Sequence, residues 1–279
     1  MKALCFLLLI STQALAVVLP VVIEKKVHED YVEFVGDRDP LTINQFGGIK
    51  ARRSTVEIVL LQQAFALGGL PVELQFHIAP GAERMRRMVM LHGYAMAANT
   101  VWDSVANDTK DLLWVSAPVI RHGEFEAGLY TVGTRYDLLD EKYRIDIEKL
   151  AAVSSSQWVS DWNTLSELPL TNLINVTDWR SMVEMVVHNR VDFLLAPFQG
   201  SKDLSFEARG YRFLPIEGVK LGLSGSRHFI LSRSFPNSER LAEVLDRGIN
   251  ILRQKGTIVR ALQECGFFNA QVTGWRKLN

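Results

Sequence analysis

Two stretches of the chain alternate short apolar runs with helical apolar stripes, and one long β-type run separates them. That alternation constrains the fold most, because strand–helix–strand units imply a parallel sheet with helices packed against it. In the first stretch, Pro40-Leu41-Thr42-Ile43-Asn44 reads as a strand that Gly47-Gly48 ends. The following helix shows Val56, Val59, Leu60, Ala64 and Leu67 at helical spacing, closed by Gly68-Gly69. Ser54 and Glu57 are spaced as a capping box, each side chain satisfying the other residue's free N–H. Residues 71–78 alternate (Val72, Leu74, Phe76, Ile78) as a strand, and a second helix is expected over about 81–91. Apolar runs at 95–100 and 112–116 complete this unit, the second closed by Pro118.

Residues 128–135 read as a long strand leaving that unit, and the alternation then restarts. Strands are expected at 151–154, 173–176 and 191–195, with helices at 159–168 and 179–188, the latter capped by Thr177 or Asp178. Near 219–223 the chain crosses back, and 228–231 resumes a strand. Two helices follow: one carries Leu241, Val244, Leu245, Ile249 and Leu252, and the other opens at Gly256-Thr257. The expected fold class is therefore α/β and two-lobed: 39–130 with 225–279 in one lobe, 131–224 in the other, joined by two crossover strands. The cleft between such lobes is the default ligand site.

The N-terminus reads as an export signal over 1–16. Lys2 is the positive start, Ala3 to Ile10 the apolar core, and Ala14-Leu15-Ala16 the cleavage pattern, which points to the periplasm. Val17 to Ile23 prolongs the apolar run, and residues up to 39 read as a lead-in. Cleavage removes Cys5 and leaves Cys265 alone, so no internal disulfide forms. Cys265 shares an apolar helix face with Ile258, Val259 and Leu262, as a small buried hydrophobe would. With 31 basic and 31 acidic residues the formal charge is zero, which argues against nucleic acid or an anionic membrane as the main partner. No stretch after residue 23 is long and apolar enough to span a bilayer, and the mature protein is expected to be a soluble monomer.

Several local patterns, in this order along the chain, carry a resemblance. They are Asn44-Gln45-Phe46-Gly47-Gly48 before a helix, Pro80 to Gly93 with Arg84, Ser116-Ala117-Pro118 ending a strand, Asn189-Arg190-Val191-Asp192, and Lys255-Gly256-Thr257-Ile258. Over roughly Pro40 to Phe268 the chain resembles the periplasmic solute-binding proteins of extracellular family three, with the type II periplasmic-binding-protein fold. The resemblance implies capture of a small molecule between two hinged lobes. It also exposes two departures. In amino-acid binders of that family an Arg about nine residues before the Ser-x-Pro proline grips the ligand carboxylate; counting back nine from Pro118 reaches Thr109, beside Lys110. An Asp five residues beyond the strand-start Asp takes the ammonium; here Asp192 plus five is Pro197. Both halves of a zwitterion clamp are missing from this alignment, so an ordinary free α-amino acid is not the expected ligand.

The candidate ligand-binding residues each carry a plainer alternative. Phe46 could stack on the ligand or pack in the core. Arg84 could pair with an anion, or be one of several basic surface residues with Arg86 and Arg87. Trp102, in a loop, offers ring area plus one N–H, as Trp114 does from an apolar strand where core packing is favoured. Ser116 could donate to a ligand or bond backbone at its strand end. Arg121 and His122 could reach the cleft or face water. Ser156 and Gln157 lie between a strand and a helix, where free N–H groups and the helix dipole suit an anion, though serine N-capping needs no ligand. Trp158 and Asp161 follow on that helix's first turn, and Asp161 could simply complement the dipole. Phe198 and Gln199 lie just past a strand end as plausible contacts.

Three function classes compete: a binder delivering a small polar or anionic solute to an ABC permease, the same fold as ligand sensor for a membrane receptor, and an enzyme. No nucleophile elbow, zinc-binding His pair, cysteine cluster or phosphate loop supports the enzyme. The expectation is a binder without cofactor or metal.

Overall fold

The computed structural model describes residues 17–140 and 145–279. The expected export signal over 1–16 lies outside the described residues. No described helix is long and apolar enough to cross a membrane.

Among the described residues the chain builds two large sheets and one small two-stranded sheet that pairs Val101–Trp102 with Arg227–His228. Its first part runs β1 (Val17–Glu24), α1 (Lys25–Val35), α2 (Arg53–Leu67), β2 (Val72–Ala79), α3 (Ala82–Leu91), β3 (Met96–Ala97), β4 (Val101–Trp102), α4 (Asp103–Asn107) and β5 (Leu113–Val115). The middle runs β6 (Glu126–Val132), α5 (Tyr136–Leu139), β7 (Ala151–Ser154), α6 (Val159–Ser166), β8 (Asn172–Asn175), α7 (Trp179–Val187), β9 (Phe193–Pro197), β10 (Phe206–Ala208), β11 (Tyr211–Pro215) and β12 (Val219–Gly222). The last part is β13 (Arg227–His228), β14 (Ile230–Ser232), α8 (Ser238–Gln254), α9 (Thr257–Glu264) and β15 (Arg276–Lys277). The first sheet has the order β2-β1-β3-β14-β5, and the second β10-β11-β6-β9-β7-β8, with β12 on β6. In the first, β1 is parallel to both neighbours; in the second, β7 is parallel to β8 and β9.

One expectation is corrected at the start of the chain. Residues 40–44 form no strand, and the strand inside the first sheet is Val17–Glu24 instead. Leu19, Val21, Val22 and Ile23 are fully buried, because this strand is covered on both faces and so reads as a continuous apolar run. The expected lead-in is the helix α1, whose Tyr31, Phe34 and Val35 supply one buried face. The capping box also differs. The helix starts two residues earlier, with Arg52 rather than Ser54 as cap and its N–H bonded to Thr55 Oγ1 at 3.1 Å, which frees Glu57 for another task.

Helices α2 and α8 lie against each other under the first sheet, with Leu241, Val244, Leu245, Ile249 and Leu252 of α8 in the same core as Val56, Val59, Leu60 and Ala64 of α2. Their approach needs missing side chains. A Cβ on Gly248 would lie 1.7 Å from the Ala64 carbonyl oxygen, and one on Gly68 would lie 2.1 Å from that of Val244. The second lobe is knit by Tyr130, Phe193, Phe213, Val183 and Val186 around β6, β9 and α7. A hairpin, β10–β11, extends its edge without having been expected from the sequence.

The two glycines yield the first prediction. Gly248→Ala forces backbone apart rather than a movable side chain, so it is expected to cost about 3 kcal/mol or more. Thermal unfolding checks this; a melting temperature within a degree of the parent would show that α2 and α8 are not so closely packed.

Candidate functional site

All three parallel strands of the first sheet end on one side, at Glu24, Ala79 and Ala97. The carboxyl ends of such strands are where open α/β sheets place ligands, because loops and helix N-termini converge there. A cavity of about 350 Å³ opens at that edge. Glu24, Arg53, Arg86, Asn99, Trp102 and Arg227 line it with several small and apolar residues.

The polar wall is built from a buried carboxylate outward. Glu57 has no exposure to water. Arg53 reaches it with one guanidinium nitrogen at 2.7 and 2.8 Å from its two oxygens, and Thr100 donates both its N–H (3.1 Å) and its hydroxyl (2.5 Å). Arg227 then donates to Thr100, from Nε to Oγ1 at 3.0 Å and from Nη2 to the carbonyl oxygen at 2.6 Å, and stacks over the Trp102 ring at 4.9 Å. Glu57 is thus shared, but Arg227 makes no direct ion pair among the described residues. Burial, with the nearby charge of Arg53, holds its guanidinium down at about 10. Arg86 gives one nitrogen to Glu83 at 2.6 Å, while its buried Nε has no partner among the described residues. This wall can accept a negative group at Arg227 and planar area at Trp102.

Trp102 also marks where the lobes meet. It packs against the second lobe's core as well as lining the cavity. A Cβ on Gly225, in the returning crossover, would lie 3.1 Å from Asp103 Oδ1, 3.2 Å from Ser160 Oγ and 3.3 Å from the Trp102 ring. Ser160 belongs to the first turn of α6, so the N-terminus of that helix abuts the edge of the cavity's wall.

Of the ten candidate residues, Trp102 alone lines this cavity. Phe46 is fully buried in the first core, its N–H bonded to Glu264 at 2.6 Å, so it packs rather than stacks on a ligand. Arg84 is exposed; the helix turn presents Glu83 and Arg86 to the cavity instead, and a choice two residues away in the same turn misses by the helix period. Ser116 is buried, its hydroxyl donating to the Ala117 carbonyl and accepting from Phe229 N–H, which leaves nothing for a ligand. Arg121 is exposed with its N–H on Glu124. His122 lines a different cavity and accepts from Gly225 N–H. Phe198 is buried beside Tyr130 and Trp275 in the second core.

Ser156, Gln157 and Trp158 lie exposed on the turn before α6. Their N–H groups are already taken, by Asn175 Oδ1, Ser155 Oγ and the Ser155 carbonyl respectively. Trp158 instead neighbours Trp179 at 6.2 Å. Sequence reasoning misses Arg53, Arg227 and the role of Glu57. Glu57 reads as a cap rather than as the i,i+4 partner of Arg53, and no local pattern marks Arg227 because its partner Thr100 lies 127 residues away.

No protein-family model matches this chain, and no curated protein matches it. Among solved structures, it is similar to substrate-binding domain 2 of GlnP from Lactococcus lactis in the open conformation, with 15% identity, 88% of this chain and 94% of that one covered, and a TM-score of 0.51. It is also similar to the probable amino-acid ABC transporter extracellular-binding protein ytmK from Bacillus subtilis: 10% identity, 90% and 98% covered, TM-score 0.54. These likenesses show the fold: the chain has the two-lobed architecture of the type II periplasmic binding proteins.

Asp161, on the first turn of α6, provides a pH test. Burial pushes its carboxyl from 3.8 up to about 6, only partly opposed by a backbone hydrogen bond. The folded protein therefore holds this proton more tightly than the unfolded chain does. The stabilising contribution is complete below 3.8 and is lost as the pH rises through 6. Asp161→Asn keeps the shape without the charge, so at pH 7.5 it is expected to be more stable than the parent by about 1–2 kcal/mol. Below 3.8 the gain should vanish. Melting temperature against pH for both proteins checks this; a constant difference across the range would mean Asp161 does not titrate as a buried acid.

Proposed function

We propose that this protein is a solute-binding module that captures a small molecule carrying an anionic group, and delivers it to an ATP-driven importer of the membrane. The observation that carries the reading is Arg227: a half-buried guanidinium, in no direct ion pair among the described residues, facing a cavity of about 350 Å³ beside Trp102. Arg227 shares the charge of Glu57 with Arg53 and bonds to neither of its oxygens, and a ligand anion would give it a direct partner. Arg227 sits three residues past Ser224, whose N–H and hydroxyl reach Thr164 and Glu167 of the second lobe. A ligand held there would favour the closed lobes by contacts that the open form lacks.

Both solved neighbours are binding proteins rather than enzymes, in keeping with a role in capture. Ordinary α-amino acids are excluded as ligands on this reading. Thr109 turns its hydroxyl back to the Val105 and Ala106 carbonyls, and Pro197 has no charge to offer an ammonium. The protein is proposed to act in the periplasm as a monomer.

A thermal-shift screen against organic acids, phosphorylated solutes, amino acids, peptides and neutral sugars tests this reading. A solute at a hundredfold its dissociation constant adds about 2.7 kcal/mol. The expected hits carry an anionic group, and Arg227→Gln should weaken them by about 2 kcal/mol, roughly thirtyfold, in titration calorimetry. Hits confined to neutral sugars, or unchanged affinity in Arg227→Gln, would overturn it. A strong α-amino-acid hit would overturn the exclusion alone and point to Glu24 for the ammonium.

A further inference from the structure

Two interlobe passages are expected from the sequence, and both are present. They lie side by side: Gly123 N–H donates to the Leu223 carbonyl at 3.1 Å, and Leu223 N–H to the Phe125 carbonyl at 2.8 Å. They touch so closely that a Cβ on Gly222 would lie 2.7 Å from the Gly123 carbonyl oxygen. The segment 225–279, expected wholly in the first lobe, divides. Helix α9 and Phe267 and Phe268 pack with the first core, whereas Val272 and Trp275 belong to the second lobe's core and Leu278 packs beside them. The chain therefore passes between the lobes a third time, between Phe268 and Val272.

Beyond this third passage, the C-terminal segment grips the other two. β15 pairs in parallel with β12, Val219 opposite Arg276 and Lys220 opposite Lys277. The Asn279 side chain takes Gly222 N–H at 2.9 Å and donates to the Gly222 carbonyl at 2.8 Å, as a strand would. Lys277 reaches the first passage, donating to the Gly123 carbonyl at 2.7 Å and pairing with Glu126 at 3.2 Å. The same Glu126 holds the buried Lys220 at 2.7 Å, and Lys220 donates to the Val272 carbonyl at 2.8 Å. On the first-lobe side, Phe267 stacks on Phe125 at 4.3 Å and 10°. Between these contacts lies a cavity of about 420 Å³, walled by Val259 and Gln263 from the first lobe and by Lys220, Thr273 and Lys277 from the second.

We infer that residues 269–279 form a strap that sets the resting angle between the lobes by tying both hinge passages to a third. A hinge of two adjacent strands bends by small dihedral changes in a few residues. A third passage, cross-linked to both, removes part of that freedom. Opening must then either stretch the Lys277–Gly123 and Phe267–Phe125 contacts or carry the strap along. This device is independent of which solute binds.

The test needs no ligand. Spin labels at Arg87→Cys in the first lobe and Glu207→Cys in the second, both exposed positions, report the interlobe distance in a Cys5→Ser, Cys265→Ser background. The protein with an intact strap is expected to give one narrow distance distribution. Lys277→Met, and separately a chain ending after Thr273, should broaden it and extend it by several ångströms. Circular dichroism and melting confirm folding; should the shortened chain not fold, Lys277→Met combined with Gly222→Ala, which wedges the two passages apart, takes its place. Distributions that superpose on the parent's in the folded variants would overturn the inference.

Discussion

The buried carboxylate of Glu57 sets the terms for the rest of the first lobe. With no exposure to water, it must be matched by positive charge and hydrogen-bond donors, because an unpartnered carboxylate in the core is costly. Arg53 and both donors of Thr100 meet that requirement. Satisfying it fixes Thr100, which in turn holds Arg227 in a position where no acidic residue among those described pairs with it directly. The site's positive character is therefore a consequence of how one internal charge is compensated: two guanidinium groups converge about a single buried carboxylate. The first lobe's closest helix packing, at Gly68 and Gly248, involves the same helix α2 that carries Glu57 and Arg53, so the rigidity of that packing also positions the site.

The hinge is coupled to this wall. Arg227 lies just after the returning passage, and Trp102, under its guanidinium, packs on the second lobe. The cavity is therefore lined by residues that also touch the other lobe. The strap at the opposite side of the hinge acts on the same coordinate through different residues. Binding and hinge geometry are thus joined by a short run of chain, 222–227, rather than by a long path through either lobe.

Much of the fold is legible in the chain. The helix and strand alternation of the second lobe can be placed to within a few residues, with the strand at 151–154 matching at both ends. Its signal is local: period, caps and breakers all act within a few residues of each other. The first strand escapes such reading for an equally physical reason. A parallel strand buried on both faces is a continuous apolar run, and at Val17–Glu24 that run continues directly from the apolar stretch expected for export. Periodicity cannot separate the two.

The candidate site is far less accessible from sequence. Trp102 stands out because a tryptophan outside the periodic apolar runs is conspicuous, although the structure puts it in the short strand β4 rather than in a loop. Arg84 and Arg86 look equivalent, because the phase of a helix against its neighbours depends on packing rather than on the residues around it. Ser116 and Phe198 have the chemistry of ligand contacts, and only the folded chain shows that both are already engaged. By itself, then, the sequence determined that this is a two-lobed α/β chain, with crossovers expected at 128–135 and near 219–223, because hydrophobic period and turn chemistry are local properties. The tertiary structure decided which arginines face the cavity, that Glu57 is a buried counter-charge, and that the tail returns to clasp the hinge. Those outcomes rest on pairs of residues such as Thr100 with Arg227, 127 positions apart, and no local pattern records which distant groups will share one buried space.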